Sequence, residues 1–124
     1  MLFANHIHWQ GNYDKALKLA QKERKTLLVL VVKKDDVQTL NILKTTFMNQ
    51  PYIDTMNEKM IAVIVTYEGR NSYPVEMYYA TIFPALFFVD ATREIFIQQP
   101  LYRESITKES LKNLFDQRED NLIW

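Results

Sequence analysis

Two histidines lie close together near the start of the chain. His6 and His8 are two residues apart, so on a β-strand their side chains would share one face. Two imidazoles at that spacing are able to bind a transition metal. No third ligand follows nearby in sequence, so Asp35, Asp36 or Glu68 would have to approach in space. We therefore predict a surface pair of histidines and no metal site.

The residues needed for thiol chemistry, for hydrolysis by a serine nucleophile and for phosphate binding are missing or lie outside the sequence motifs that these functions need. The chain has no cysteine, which excludes disulfides, thiolate ligands and cysteine nucleophiles. Its serines do not occur in the G-x-S-x-G context of a hydrolase nucleophile. Two glycines in the whole chain leave no glycine-rich loop for a phosphate group. The sequence therefore predicts no cofactor and argues against a hydrolase.

Length and composition limit the remaining classes of protein. The 124 residues, 48% of them hydrophobic, fit a single domain at 1–124 with its core at about 9–116. Fifteen Lys and Arg balance fifteen Asp and Glu, which argues against nucleic-acid binding. No apolar run approaches the roughly 18 residues of a membrane span. The start, Met1 to Asn5, is too short for a signal peptide. Two localisations stay open: the protein is cytoplasmic, or it is periplasmic or secreted and a signal peptide has been removed.

Apolar periodicity divides the chain into alternating strands and helices. The unbroken apolar runs at 26–32 and 60–66 are typical of strands buried on both faces of a parallel sheet. A further apolar run at 84–90, followed by a turn and a run at 94–98, predicts a β-hairpin. Helices are predicted at 13–25, from 35 to 47, at 52–56, at 75–79 and from 107 onward.

Three of these helices carry recognisable start signals. Asn12 and Thr107 are predicted as the N-caps of the first and last helices. For the second helix we predict Asp35 as N-cap, because Gln38 follows three residues later, as in a capping box. The buried stripe of that helix is predicted to consist of Val37, Leu40, Leu43 and Phe47.

The order of the elements predicts the fold class. Parallel strands joined through helices need right-handed crossovers, which place helices on both faces of the sheet. We therefore expect an α/β protein, a three-layer α/β/α sandwich with a mixed central sheet, a C-terminal β-hairpin and a closing helix.

Three motifs occur in a set order along the chain. Trp9 precedes a helix with the pattern Y-x-x-A-L-x-x-A that begins at Tyr13, and Phe47 and Pro51 follow the second helix. The stretch 83–90 then combines a Phe-Pro pair with an apolar strand that ends in Asp. In this order the motifs resemble those of the thioredoxin-like superfamily, over about residues 9–116. The resemblance implies the thioredoxin fold, with 83–84 as the cis-proline motif.

The chain departs from that superfamily at the redox motif. Active relatives carry Cys-x-x-Cys at the start of the second helix, and spacing from Phe47 puts these positions at Asp36, Val37, Gln38 and Thr39. Disulfide exchange needs an attacking thiolate and a resolving thiol, and the chain supplies neither. Two explanations stay open for these residues, a repurposed polar site or simple initiation of the helix.

The resemblance also implies a place where a peptide would bind. Relatives pair the backbone beside the cis-proline with extended peptides, a form of strand addition. In this chain the corresponding residues are Phe83 and Pro84. Their retention without the cysteines is explained either by a surviving peptide groove or by the shape that Pro84 gives to the start of the strand.

Aromatic residues are concentrated before Pro84, in larger number than a short connection needs. Tyrosines exposed together are frequent at recognition surfaces. We therefore predict that this segment contributes to binding. The residues are Tyr67, Tyr73, Tyr78, Tyr79 and Phe83.

Three functions follow from these residues. The first is a redox-inactive module that binds a protein or peptide in the groove between 36–37 and 83–84. The second is a non-redox enzyme, or a binder of a small molecule, in the same groove, with Asp36 as acid or base and Thr39 as an orienting hydroxyl. The third is an assembly subunit that forms a homo-oligomer through the apolar tail Leu122-Ile123-Trp124.

Overall fold

One mixed β-sheet organises the structure. A computed structural model describes residues 6–48, 50–69, 73–78 and 82–121. The sheet order is β1-β3-β2-β4-β5, with β6 also paired to β4. β2 runs parallel to β3 and antiparallel to β4, and β5 and β6 are antiparallel to β4. The strands are β1 (Trp9–Gln10), β2 (Thr26–Lys33), β3 (Met60–Tyr67), β4 (Ala85–Asp90), β5 (Ile95–Phe96) and β6 (Leu101–Tyr102).

Helices cover both faces of this sheet. They are α1 (Tyr13–Glu23), α2 (Val37–Thr45), α3 (Ile53–Lys59), α4 (Val75–Tyr78) and α5 (Lys108–Asn121). Residues of α1 and α4 pack in one apolar cluster with one face of the strands. Residues of α2, α3 and α5 pack in a second cluster with the other face. The three-layer α/β/α architecture is therefore the one that the order of elements predicts.

The central strand β2 supplies side chains to both clusters because successive residues of a strand point to opposite faces. Leu27 and Val29 belong to the cluster under α1, whereas Leu28 and Leu30 belong to the cluster under α2. All four side chains have no solvent exposure. This two-sided burial explains why the sequence at 26–32 is an unbroken apolar run.

Two helices begin where the sequence predicts. The Asn12 side chain accepts a hydrogen bond from the Lys15 backbone N–H at 3.0 Å, which caps α1. Thr107 Oγ1 accepts from the Ser110 backbone N–H at 3.0 Å, which caps α5. None of the helices in the described part of the chain has both the length and the apolar character to cross a bilayer.

The C-terminal hairpin is shorter than the sequence predicts. Only Ile95 and Phe96 pair with β4 in β5, whereas a strand over 94–98 is predicted. The regular strand ends because the chain bends at 97–98, although the Ile97 N–H still donates to the Phe88 carbonyl at 2.9 Å. The chain then returns to β4 as β6, which the sequence does not predict, where Leu101 and Tyr102 pair beside Leu86 and Ala85.

Candidate functional site

The candidate site lies at the edge of the sheet where β2 and β3 end and β4 begins. Lys33, the last residue of β2, is paired with Tyr67, the last residue of β3. On the other side of β2, Val31 lies opposite Ala85, the first residue of β4. The segment that leads into α2 and the Phe83-Pro84 segment therefore meet at one edge.

Asp36, and not Asp35, caps α2. Asp36 Oδ1 accepts a hydrogen bond from the Gln38 backbone N–H at 3.2 Å. Asp35 lies one residue earlier, in the left-handed region with φ 61°. The prediction of Asp35 as N-cap is therefore wrong by one residue. The carboxylate of Asp36 satisfies a backbone donor that the first turn of a helix otherwise leaves unpaired.

The buried stripe predicted for α2 is half right: Leu43 and Phe47 pack in the apolar cluster on that face of the sheet, but Val37 and Leu40 do not. Val37 and Leu40 are 69% and 57% exposed, although the sequence predicts both to be buried. Thr39 and Ile42 are buried instead, and Ile42 joins the apolar cluster on that face of the sheet. Both pairs have the three-residue spacing of one helical face, so periodicity alone does not distinguish them. The position of the sheet beneath α2 decides which pair is covered.

Thr39 has a buried hydroxyl without a hydrogen-bond partner. Its side chain is 8% exposed, and Oγ1 is the single buried side-chain polar atom among the described residues that has no partner. Most buried hydroxyl groups in proteins are paired. This position is the one at which the resemblance places the second cysteine of active relatives.

Phe83 and Pro84 form the other side of the site. The ring of Phe83 stacks on Tyr67 with 4.8 Å between centroids and 13° between planes. The Phe83–Pro84 peptide bond is cis, and Pro84 is buried. The Pro84 carbonyl accepts from the Arg103 N–H at 2.9 Å. The backbone N–H and C=O of Phe83 have no hydrogen-bond partner among the described residues.

The tyrosines that precede Phe83 do not all line this site. Tyr67 stacks on Phe83, whereas Tyr78 is buried and its hydroxyl lies 2.7 Å from that of Tyr13 on α1. Tyr73 is exposed, but its hydroxyl donates a hydrogen bond to Asp14. The structure therefore directs Tyr73 and Tyr78 towards α1, and Tyr79 lies outside the described residues.

These contacts change the acidity of the phenols. The hydrogen bond to Asp14 raises the pKa of Tyr73 from 10.0 to about 12, because ionisation would put two negative charges in contact. Burial raises the pKa of Tyr78, and the hydrogen bond with Tyr13 raises it further. Both phenols are therefore neutral at ordinary pH and act as hydrogen-bonding groups.

The histidine pair lies apart from this site. The rings of His6 and His8 are 5.6 Å apart in an edge-to-face arrangement. Among residues 6–48, 50–69, 73–78 and 82–114, no group of three or more acidic or histidine side chains is able to hold a metal ion. The tail Leu122–Trp124 lies outside the described residues.

Two grooves that the sequence does not indicate lie elsewhere. The larger, of about 790 Å³, lies at the opposite edge, where β2 begins and β4 ends. Two of its lining residues form surface ion pairs, Lys25 with Glu23 at 3.2 Å and Arg93 with Asp90 at 3.5 Å. A groove of about 310 Å³ lies between α2 and the start of α5.

The chain matches no protein-family model and no curated protein sequence, but solved structures share its fold. A DsbH oxidoreductase has a TM-score of 0.68 and 17% identity, and the match covers 92% of this chain and 85% of that chain. A thioredoxin from Thermus thermophilus has a TM-score of 0.66 and 18% identity, with 90% and 86% covered. The oxidised C-terminal domain of DsbD from Neisseria meningitidis has a TM-score of 0.62 and 16% identity, with 84% and 90% covered.

Proposed function

We propose that this chain, which has the thioredoxin-like fold without any cysteine, is a redox-inactive module that binds an extended segment of a protein or peptide. The binding site is the edge between the start of α2 and Phe83-Pro84. Binding there involves no covalent chemistry on the protein, because the positions of the redox motif hold Asp36, Val37, Gln38 and Thr39.

One observation carries this proposal. Phe83 offers a backbone N–H and C=O that no described residue uses, directly before β4. β4 itself is paired on both sides, by β2 and by β5 and β6, so a ligand would pair with the residue before the strand. Unpaired backbone groups of this kind are the groups through which an extended peptide adds to a sheet. The carbonyl of Pro84, one residue later, already accepts from the Arg103 N–H, so the proposal rests on the backbone groups of Phe83, which no described residue uses.

The surroundings of Phe83 support the same function. Its ring is held against Tyr67, so an incoming segment meets an ordered aromatic surface. Ordered aromatic groups contribute strongly to binding because they lose little conformational freedom when a ligand arrives. A peptide at this edge therefore gains backbone hydrogen bonds and apolar contact together.

Affinity capture with a matched pair of variants tests the proposal. We expect Phe83→Asp to lose a partner that the unaltered chain retains, because a carboxylate there opposes apolar contact beside the free backbone groups. The control is Ile95→Asp, which alters a half-exposed apolar residue at the opposite edge and should retain the partner. Circular dichroism should show that both variants fold. Equal recovery of the same partner by both variants would contradict the proposal.

A further inference from the structure

The smaller groove, of about 310 Å³, adjoins the candidate site. One wall of the groove is α2, and the other is the segment 103–108 that leads into α5. Arg103 joins the groove to the site, because it lines the groove and its backbone N–H donates to the Pro84 carbonyl at 2.9 Å. On the other side, Gln38 lines the groove and its backbone N–H donates to Asp36. Both sides of the candidate site therefore continue into this groove.

Three buried residues give the groove a fixed base. Ile42 on α2 and Ile106 before α5 line it and are 5% and 2% exposed. Thr46 Oγ1 donates to the Ile106 carbonyl at 3.2 Å and so ties the end of α2 to the other wall. Sites for small molecules usually have volumes of roughly 300–1,000 Å³. A groove at the lower end of that range suits a side chain of a bound peptide.

The walls carry polar groups that the protein itself does not use. The side-chain amides of Gln38 and Asn41, three residues apart on α2, have no hydrogen bond to another described residue. The Lys108 ammonium forms neither an ion pair nor a hydrogen bond within the described part of the chain. Arg103 Nε lies 3.7 Å from Glu104 Oε1, but both side chains are exposed, so this pair contributes little.

The charges along the groove favour a carboxylate as the occupant. Arg103 and Lys108 line it with positive charge, against the single acidic residue Glu104. The Glu104 side chain is 81% exposed, so solvent screens its charge. Arginine and lysine form charge-assisted hydrogen bonds with carboxylates, and the amides on α2 add neutral donors. The chain as a whole has no net charge, so this positive excess is local.

The backbone of Arg103 is held in an uncommon conformation between the site and the groove. Its φ of 41° is in the left-handed region, which residues with a side chain seldom adopt. The hydrogen bond to Pro84 holds its N–H, and its carbonyl accepts from the Ile106 N–H at 3.0 Å. Residues that their surroundings hold in this region are frequent at functional sites. The two hydrogen bonds fix the point from which the guanidinium extends.

We propose that this groove binds an acidic side chain, aspartate or glutamate, of the extended segment that pairs with Phe83. The inference rests on the proposed function and adds to it the class of peptide. The carboxylate lies between the Arg103 guanidinium and the Lys108 ammonium. Because the groove begins beside Pro84 and an extended chain advances about 3.3 Å per residue, the acidic residue lies within a few residues of those paired with Phe83.

A displayed library of random octapeptides tests the selection. The unaltered chain should enrich sequences with an acidic residue at one fixed position. A synthetic peptide of the enriched sequence should bind the double variant Arg103→Gln, Lys108→Gln at least about tenfold more weakly, which corresponds to about 1.4 kcal/mol. The peptide that carries the corresponding amide in place of its acid should lose as much affinity for the unaltered chain. That amide peptide should bind the double variant and the unaltered chain equally, because the interaction is then already lost.

A matched variant controls for the loss of two positive charges. Lys25→Gln, Arg93→Gln removes two cations from the groove at the opposite edge and should bind the acidic peptide as the unaltered chain does. Glutamine at position 103 keeps the backbone N–H that donates to Pro84, so the variant tests the side chain alone. Circular dichroism should show that both double variants fold.

The outcomes separate this inference from the proposed function. If the enriched peptides lack a fixed acidic residue, or if the amide peptide binds the unaltered chain as tightly as the acidic one, the inference is wrong. It is also wrong if the Lys25→Gln, Arg93→Gln variant loses as much affinity, since the attraction would then be non-specific. In each of these cases loss of binding in Phe83→Asp would still support a peptide site. If the unaltered chain enriches no sequence, both the peptide site and its specificity are rejected.

Discussion

At the scale of single residues, Thr39 is the described residue whose buried polar group lacks a hydrogen bond. Its hydroxyl is buried and lacks a partner among the described residues. Burial of an unpaired hydroxyl costs free energy that a methyl group in its place would not cost. Thr39 therefore fills its buried position with a β-branched side chain, but its unpaired hydroxyl lowers the free energy of unfolding.

We predict that Thr39→Val raises the free energy of unfolding by about 1 kcal/mol, since it removes the unpaired hydroxyl and keeps the side-chain shape. Thr39→Ser keeps the hydroxyl, loses the methyl group and should lower stability. Urea denaturation of the three proteins measures both changes. A less stable Val variant would show that the hydroxyl of Thr39 makes a favourable contact.

Tyr73 has a perturbed phenol that titrates at high pH. The hydrogen bond to Asp14 raises its pKa in the folded state, so the protonated phenol is favoured by folding. The resulting stabilisation is complete below the ordinary pKa of 10.0 and is lost as the pH rises through about 12. Tyr73→Phe should therefore remove one tyrosinate absorbance step from this range.

Absorbance titration of the folded protein checks this prediction. Asp14→Asn serves as the matched variant, because it removes the carboxylate that accepts the hydrogen bond of Tyr73 and keeps the phenol. In that variant the Tyr73 step should move from about 12 towards 10.0. A step near 12 that persists in Tyr73→Phe would show that another phenol titrates there.

At the scale of the elements, the beginning of α2 depends on two acidic residues with different roles. Asp36 caps the helix, whereas Asp35 occupies a left-handed turn directly before it. A carboxylate cap stabilises a helix, while a left-handed residue is better served by glycine. The two adjacent aspartates should therefore respond differently to substitution.

We predict that Asp36→Ala lowers the free energy of unfolding by about 1 kcal/mol through loss of the N-cap. Asp35→Gly should leave stability unchanged or raise it, because glycine adopts the left-handed conformation without a steric cost. Thermal unfolding of the two variants measures the difference. If Asp35→Gly lowered stability more than Asp36→Ala, Asp35 and not Asp36 would be the N-cap of α2.

At the scale of the whole molecule, the residues that stabilise the fold differ from the apolar residues exposed at the candidate site. Leu28 in β2 is fully buried in the cluster that α2, α3 and α5 cover. Leu40 has the same chemistry but lies exposed at the edge. The fold therefore rests on the two clusters, and the apolar surface at the site is separate from them.

The matched pair Leu28→Ala and Leu40→Ala tests this separation. Leu28→Ala should cost about 2–5 kcal/mol of folding free energy because it opens a cavity in the core. Leu40→Ala should change it by less than about 0.5 kcal/mol, as for an exposed position. Chemical denaturation measures both variants. An equally large loss in Leu40→Ala would mean that another surface covers Leu40 in solution.

The elements and their order follow from the sequence because their signals are local. A two-sided strand needs an unbroken apolar run, as at 26–32, and a helix needs a side chain that binds its first free N–H groups, as Asn12 does. The resemblance through Trp9, Tyr13 and the Phe-Pro pair adds the fold, which the solved structures share. The absence of cysteine excludes thiol chemistry whatever the tertiary structure.

Only the tertiary structure decides which residues line the site. Helical spacing fits both Val37 with Leu40 and Thr39 with Ile42, and the sheet beneath α2 determines which pair is covered. The chain after β4 returns to pair Arg103 with Pro84, while no described residue pairs with the backbone of Phe83. Such choices depend on contacts between residues distant in sequence, which local periodicity does not encode.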